Sequence, residues 1–262
     1  MADKNKYSQV SPPIHTLTLP NLKPLINQFG LPLHIIFKER INEEANSIKK
    51  TIAELYPYSM ICFALKSNPC MGAVKIMKEL DLGIDAASEF ELNAALDTGI
   101  PASKIICNGN AKTDDYLGKC IAANVLISLD GQEELERAAY LAAKMSKSAR
   151  ALLRFSQMPL EGFTTADQST ALQWTKFGFS FGQSAEVFNH MKKYKSVEYQ
   201  GISAHIGTQI CELSGYVKLL NYLLELIETA DKSGLQTKFV DIGGGFPVSY
   251  ISKADWHNFQ TR

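Results

Sequence analysis

Short apolar runs bounded by polar or chain-turning residues recur along the chain. They are SMICFAL (59–65), GIDAAS (83–88), KIICNG (104–109), NVLISL (124–129), ALLRF (151–155), GISAHI (201–206) and FVDIG (239–243). Runs of this length, rich in Ile, Val and Phe, predict strands. Between most of them lie stretches whose apolar residues recur every three or four positions: MGAVKIMKEL, EFELNAALDTG, DDYLGKCIAAN, EELERAAYLAAKM, SAEVFNHMKKY and GYVKLLNYLLELIETA. These predict helices, and in the last one Tyr216, Val217, Leu220, Leu223, Leu224 and Ile227 predict a single apolar face. Upstream, a polar, Pro-containing leader (1–29) precedes LPLHIIF (31–37), which reads as a short strand, and INEEANSIKKTIAELY (41–56), which reads as a helix.

Strands that are apolar on both faces and alternate with helices predict an α/β protein with a covered parallel sheet. Seven strand units with no switch in pattern favour a (β/α)8 TIM barrel over a doubly wound sheet. The count stops one strand short, because PVSYISKADWHNFQTR supplies no clear last strand. The expected organisation is the leader followed by one barrel domain over 30–262, incomplete at its C-terminus.

Composition narrows the function classes. Lys plus Arg and Asp plus Glu both number 27, so no chain-wide field favours nucleic acid or an anionic membrane. The five cysteines are scattered without metal-ligand or redox spacing, so they read as reduced thiols and no metal is expected. The start MADKNKYSQVSPPIH has no apolar core of a secretion signal, and no run reaches the ~18 residues of a membrane span. A cytoplasmic protein is expected.

Chemistry in such a barrel gathers at the C-terminal ends of its strands. Those ends carry Lys66, Asp85 with Ser88, Asn108 to Asn110, Asp130, Arg154, His205 and Gly243 to Gly245. Each residue has a bland reading beside the functional one. Lys66 is either an amine whose neutral form attacks carbonyls or a lysine reaching out to solvent. The glycines of VDIGGGF either bare N–H groups to a phosphate or make a tight turn. His205 either faces a planar ligand or is structural, and Thr208 either donates to a phosphate or caps a helix. Arg154 requires an anion, which is a ligand or else Asp85 or Asp130. Phe177, Phe179 and Phe181 read as core. After Lys66, Ser-Asn-Pro turns the chain and is expected to start the next helix at Pro69.

Taken in order, FALKSNP, GIDAASEFEL, ICNGNAKTDDYL, LLRF, TKFGF, SAHIGTQI and DIGGGF resemble the fold-type III pyridoxal-phosphate decarboxylases, the family of diaminopimelate, ornithine and arginine decarboxylases. The diaminopimelate branch matches best. The resemblance implies a barrel of the alanine-racemase type that binds pyridoxal 5′-phosphate and decarboxylates diaminopimelate or a related basic amino acid. It implies that Lys66 holds the cofactor as a Schiff base and later shuttles protons, and that His205 stacks on the pyridine ring. It further implies that Gly243, Gly244, Gly245 and Thr208 hold the phosphate, and that Asp85 and Arg154 line the site. The family's later acidic motif, its β-domain and its dimer partner's residues have no counterpart before Arg262, so the chain reads as a barrel portion of a longer, dimeric enzyme. An amino-acid racemase, or a barrel that binds the cofactor without turnover, is the alternative.

Overall fold

All seven apolar runs form strands, and the strands join in one parallel sheet. The computed structural model describes residues 19–157, 175–210 and 213–247. Its strands are β1 (Cys62–Ala64), β2 (Gly83–Ala86), β3 (Ile105–Cys107), β4 (Leu126–Leu129), β5 (Ala149–Ser156), β6 (Phe179–Ser180), β7 (Val197–Ala204) and β8 (Phe239–Asp241). They pair in the order β1-β2-β3-β4-β5-β7-β8, the order of a barrel wound in one direction. The two-residue β6, which the sequence does not predict, pairs with the end of β5 off this path. Among the described residues no strand joins β8 back to β1, so the sheet is an open, incomplete barrel.

The connecting helices are α3 (Met71–Glu79), α4 (Glu89–Thr98), α5 (Asp114–Ala123), α6 (Gln132–Lys144), α7 (Ser184–Met191) and α8 (Leu213–Lys232). Ser88 and Thr113 start α4 and α5 by accepting the N–H groups of Glu91 and Tyr116. The helix after Lys66 starts later than expected. Asn68 Oδ1 accepts the N–H of Cys70, and Cys70 rather than Ser67 or Asn68 then caps α3 through Sγ, so the helix begins at Met71 and not at Pro69.

Alternation along the strands sorts side chains into two environments. Outward, Phe155 of β5 packs on Phe188 of α7, with ring centroids 5.4 Å apart, and Phe188 packs on Tyr199 of β7. Inward, Ile106, Leu126 and Leu152 form one apolar layer with Cys62. The hydroxyls of Ser128 on β4 and Ser203 on β7 meet at 2.7 Å, which records the curl of the sheet across β5. Burial, and after it the charges of Asp241 on β8 and Asp85 on β2, push the Cys62 thiol of β1 up.

Three expectations fail. The buried face of α8 is Gly215, Leu219, Leu223, Leu226 and Ala230, whereas Val217, Leu220 and Leu224 are exposed. The helix is apolar on two stripes, and periodicity alone does not say which one meets the sheet. The second failure is LPLHIIF, which forms no strand, because a strand needs a neighbour to complete its ladder and none is offered among the described residues. Third, of the three phenylalanines only Phe179 is core; Phe177 lies 4.6 Å beneath the Arg154 guanidinium, and Phe181 meets Tyr222 edge-on.

By compactness the chain divides between Ser59 and Met60. The first unit holds α1 (Leu19–Phe29), lying where the sequence reads only a leader, and α2 (Lys38–Leu55), the helix expected over 41–56. The second unit, Met60–Val248, is the barrel portion. No helix among the described residues is long and apolar enough to cross a membrane.

Candidate functional site

Counting by twos from the inward apolar layer leads to the strand ends. Leu126 is followed on the same face by Ser128 and Asp130, Leu152 by Arg154, and Ile106 by Asn108. Gly83 is followed by Asp85, and Ser203 by His205. The barrel interior is thus apolar low down, carries small hydroxyls in the middle, and is charged at its mouth.

Lys66 sits there in a short 3-10 turn, Leu65–Ser67, directly after β1. Leu65 is fully buried and anchors the turn, and Ser67 Oγ donates to the Ala64 carbonyl at 2.8 Å, while Lys66 itself is exposed. Its charge is felt at both Asp85 and His205. Burial raises the Asp85 carboxyl above its ordinary range, opposed by Asn108 Nδ2, which donates to its Oδ1 at 2.7 Å, and by Lys66. Arg154 has the protein anion it needs: Nη1 donates to Asp130 Oδ1 at 2.9 Å, and this pair is almost wholly buried. Burial raises Asp130 in turn, opposed first by Arg154.

His205 follows β7 and is drawn down to about 4 by burial, then by Lys66 and Arg154, so the ring is neutral at pH 7. Its Nδ1 accepts the N–H of Gly244 at 3.2 Å, which leaves the proton of the neutral ring on Nε2. The glycine turn is set by packing on the loop after β7. A Cβ on Gly243 would lie 2.6 Å from the Ala204 carbonyl, and one on Gly245 would lie 2.1 Å from the Gly207 carbonyl. A Cβ on Gly244 would meet nothing within 4 Å, so that glycine borders open space. Thr208 is exposed beside the turn, its Cα 3.5 Å from where a Gly245 Cβ would stand.

The structure therefore gathers Lys66, Asp85, Arg154, His205 and the glycines at one end of the barrel, with Thr208 at its rim. It adds two facts the motifs do not carry. The Gly243 N–H is already taken by Asp241 Oδ1 at 2.8 Å, and the Gly244 N–H by His205. Asp241 itself is the functional-looking residue that sequence reading passes over, although an aspartate at the end of an apolar strand is a visible signal. These residues fit a planar aldehyde with a phosphate tail: an exposed amine, a neutral ring nearby, and a glycine turn with space in front of Gly244.

The sequence model described as the pyridoxal-dependent decarboxylase pyridoxal-binding domain matches residues 38–261. The chain belongs to that family. Among curated relatives of this decarboxylase-family chain, diaminopimelate decarboxylase of Aquifex aeolicus is 30% identical over 231 residues, 88% of this chain and 54% of the relative. That of Vibrio cholerae is 28% identical over 230 residues, 87% of this chain and 54% of the relative. The chain spans about half the length of the curated relatives it matches. A crystal structure from Aquifex aeolicus superposes with a TM-score of 0.76 at 26% identity, over 92% of this chain and 57% of that one. A diaminopimelate decarboxylase mutant from Helicobacter pylori, complexed with L-lysine, superposes with a TM-score of 0.81 over 92% of this chain and 62% of that one. At 24% identity the latter is a likeness of fold.

Asp241 and His205 titrate in opposing senses. Burial pushes the Asp241 carboxyl up to about 6, opposed by the Gly243 N–H and reinforced by Asp85. A carboxyl raised on folding contributes stability below its unfolded pKa of 3.8 and loses it as the pH rises towards 6. A histidine lowered from 6.5 to about 4 contributes stability above 6.5 and loses it as the pH falls towards 4. Asp241→Asn keeps an oxygen for Gly243 and removes the first slope. The variant is expected to be more stable than the parent at pH 7, by roughly 1–3 kcal/mol, with the gain shrinking towards pH 4. Urea unfolding at pH 4, 5.5 and 7 measures it, and a difference independent of pH would reject the account.

Proposed function

We propose that this chain is the pyridoxal-phosphate-binding barrel of an amino-acid decarboxylase, with the domain running over residues 30–262. The observation that carries the reading is the meeting of Lys66, neutral His205 and the Gly243–Gly245 turn at one barrel mouth. The proposed substrate is diaminopimelate or a related basic amino acid. Diaminopimelate differs from L-lysine, the ligand in the Helicobacter pylori complex, by one CO2. The whole protein is proposed to act as a homodimer.

Lys66, exposed in the turn after β1, would hold the cofactor through its Nζ. When bound, the cofactor supplies a ring that accepts the electron pair left as the bond from Cα to the carboxylate carbon breaks and CO2 departs. His205, uncharged and fixed by the Gly244 N–H, would face the bound ring and hold its orientation. Gly245 and Thr208 would anchor the phosphate, while Gly243 and Gly244, whose N–H groups are bound to Asp241 and His205, shape the turn and leave open space in front of Gly244 for it. Arg154, held by Asp130, would line the cofactor site at the mouth. Lys66 Nζ would also carry the proton that takes the place of the departed carboxylate.

The test is reductive trapping: the protein is incubated with pyridoxal phosphate, reduced with borohydride, and mapped by mass spectrometry. One adduct at Lys66 is expected. Labelling spread over surface lysines would sink the reading. With the whole protein, release of CO2 rather than loss of optical activity separates decarboxylase from racemase.

A further inference from the structure

Lys112 falls within the stretch ICNGNAKTDDYL but has no role assigned to it there, yet its side chain is 0% exposed, where an uncompensated ammonium would cost several kcal/mol. It is compensated completely. Its three N–H donors go to the Gly109 carbonyl at 2.6 Å, the Ser128 carbonyl at 2.7 Å and Glu134 Oε2 at 3.0 Å. These acceptors belong to the loop after β3, to β4 and to the first turn of α6.

From this junction two chains of contacts run to the site. Glu134 Oε2 also accepts the Asp130 N–H at 2.7 Å, and the Asp130 carboxylate holds Arg154 at 2.9 Å. On the other side, Gly109 adjoins Asn108, which donates to Asp85 at 2.7 Å. Arg137 Nη2 fastens the backbone of Lys112 itself, donating to its carbonyl at 2.7 Å. The ends of β3 and β4 thus meet on one ammonium, with Asp85 at the end of one arm and Arg154 at the end of the other.

We propose that Lys112 is a positioning residue that fixes the Asp85–Asn108 arm and the Asp130–Arg154 arm relative to each other at the barrel mouth. What the arms hold rests on the pyridoxal-phosphate reading; the junction itself does not. A buried ion pair replaced by apolar side chains of similar volume commonly leaves stability intact. The double variant Lys112→Met, Glu134→Leu therefore separates positioning from folding: it removes both charges and the acceptor of the Asp130 N–H.

The experiment has a cofactor-free and a cofactor-dependent arm, both on the full chain. In the first, phenylglyoxal modification of Arg154 is quantified by peptide mass spectrometry against Arg150, at the opposite end of β5. In the second, the pyridoxal-phosphate concentration for half-maximal trapping at Lys66 is measured. The double variant is expected to raise the Arg154:Arg150 modification ratio about fivefold and the half-maximal concentration about tenfold, as loss of positioning at a binding site does. Glu134→Gln keeps an oxygen for one of its two donors, so its ratio falls between parent and double variant. A folded double variant with the parent's Arg154 ratio overturns the proposal, and if the double variant does not fold, a parental ratio in Glu134→Gln does so. Failure of Lys66 trapping in the parent would sink the cofactor reading, while the Arg154 ratio still decides the role of Lys112.

Discussion

Lys66→Ala is expected to abolish the trapped pyridoxal-phosphate adduct while leaving the fold unchanged. The side chain is exposed, and the turn that presents it is held by buried Leu65 and by the bond from Ser67 to Ala64. Truncating an exposed side chain on such a support changes stability by about 0.5 kcal/mol or less, so the loss would be chemical. Surface lysines are protonated near neutral pH and react with aldehydes slowly, their ordinary pKa being ~10.4. Selectivity for Lys66 must come from holding the phosphate and ring beside it, which raises the effective concentration of the aldehyde. Inorganic phosphate should therefore compete with labelling at Lys66 and leave background labelling unaffected. An adduct of equal yield on another lysine in the Lys66→Ala protein would refute the assignment.

The barrel was legible because its strands obey simple rules. FALK is apolar until it breaks off at a polar residue, and LLRF and SAHI set one charged or ring-bearing polar residue, Arg154 or His205, near the end of an apolar run, which is what a strand covered on both sides looks like where it emerges at the active end. The glycine run after FVDI and the spacing of the helices carried the order. Packing choices were less legible. On α8 two apolar stripes compete, and only the sheet decides that Leu219, Leu223 and Leu226 are buried while Val217, Leu220 and Leu224 are not. LPLHIIF alternates like a strand, but a ladder is a property of two segments, and the sequence of one does not contain the other. Arg154 was legible as a charge needing an anion, and Asp130 was among the two candidates; the register that selects it comes from the sheet. Lys112 and Glu134 were invisible, since a lysine in a polar loop and a glutamate in a helix's first turn look like solvated residues until β3, β4 and α6 converge on them. Asp241 could have been found by the parity that finds Asp130 and His205.

Adjacent glycines at the barrel mouth should respond to the same substitution in different ways. Gly245 has φ +87°, a conformation that costs other residues about 1–2 kcal/mol, and its added Cβ would stand 2.1 Å from the Gly207 carbonyl. That carbonyl is backbone, and it lies in the loop tied to the turn by the Ile210 N–H donating to the Gly245 carbonyl at 2.9 Å. Neither side can give way without breaking this tie, so Gly245→Ala should destabilise the barrel by about 3 kcal/mol or more, combining strain with overpacking. Gly244→Ala meets nothing within 4 Å and should unfold with the parent. Its methyl group instead occupies the space beside the turn where the phosphate is proposed to sit, so reductive labelling at Lys66 should weaken without loss of fold. Urea denaturation and trapping, measured on both variants, separate the two roles. Equal destabilisation would mean that the turn has no open face, and undiminished labelling in Gly244→Ala would move the phosphate elsewhere.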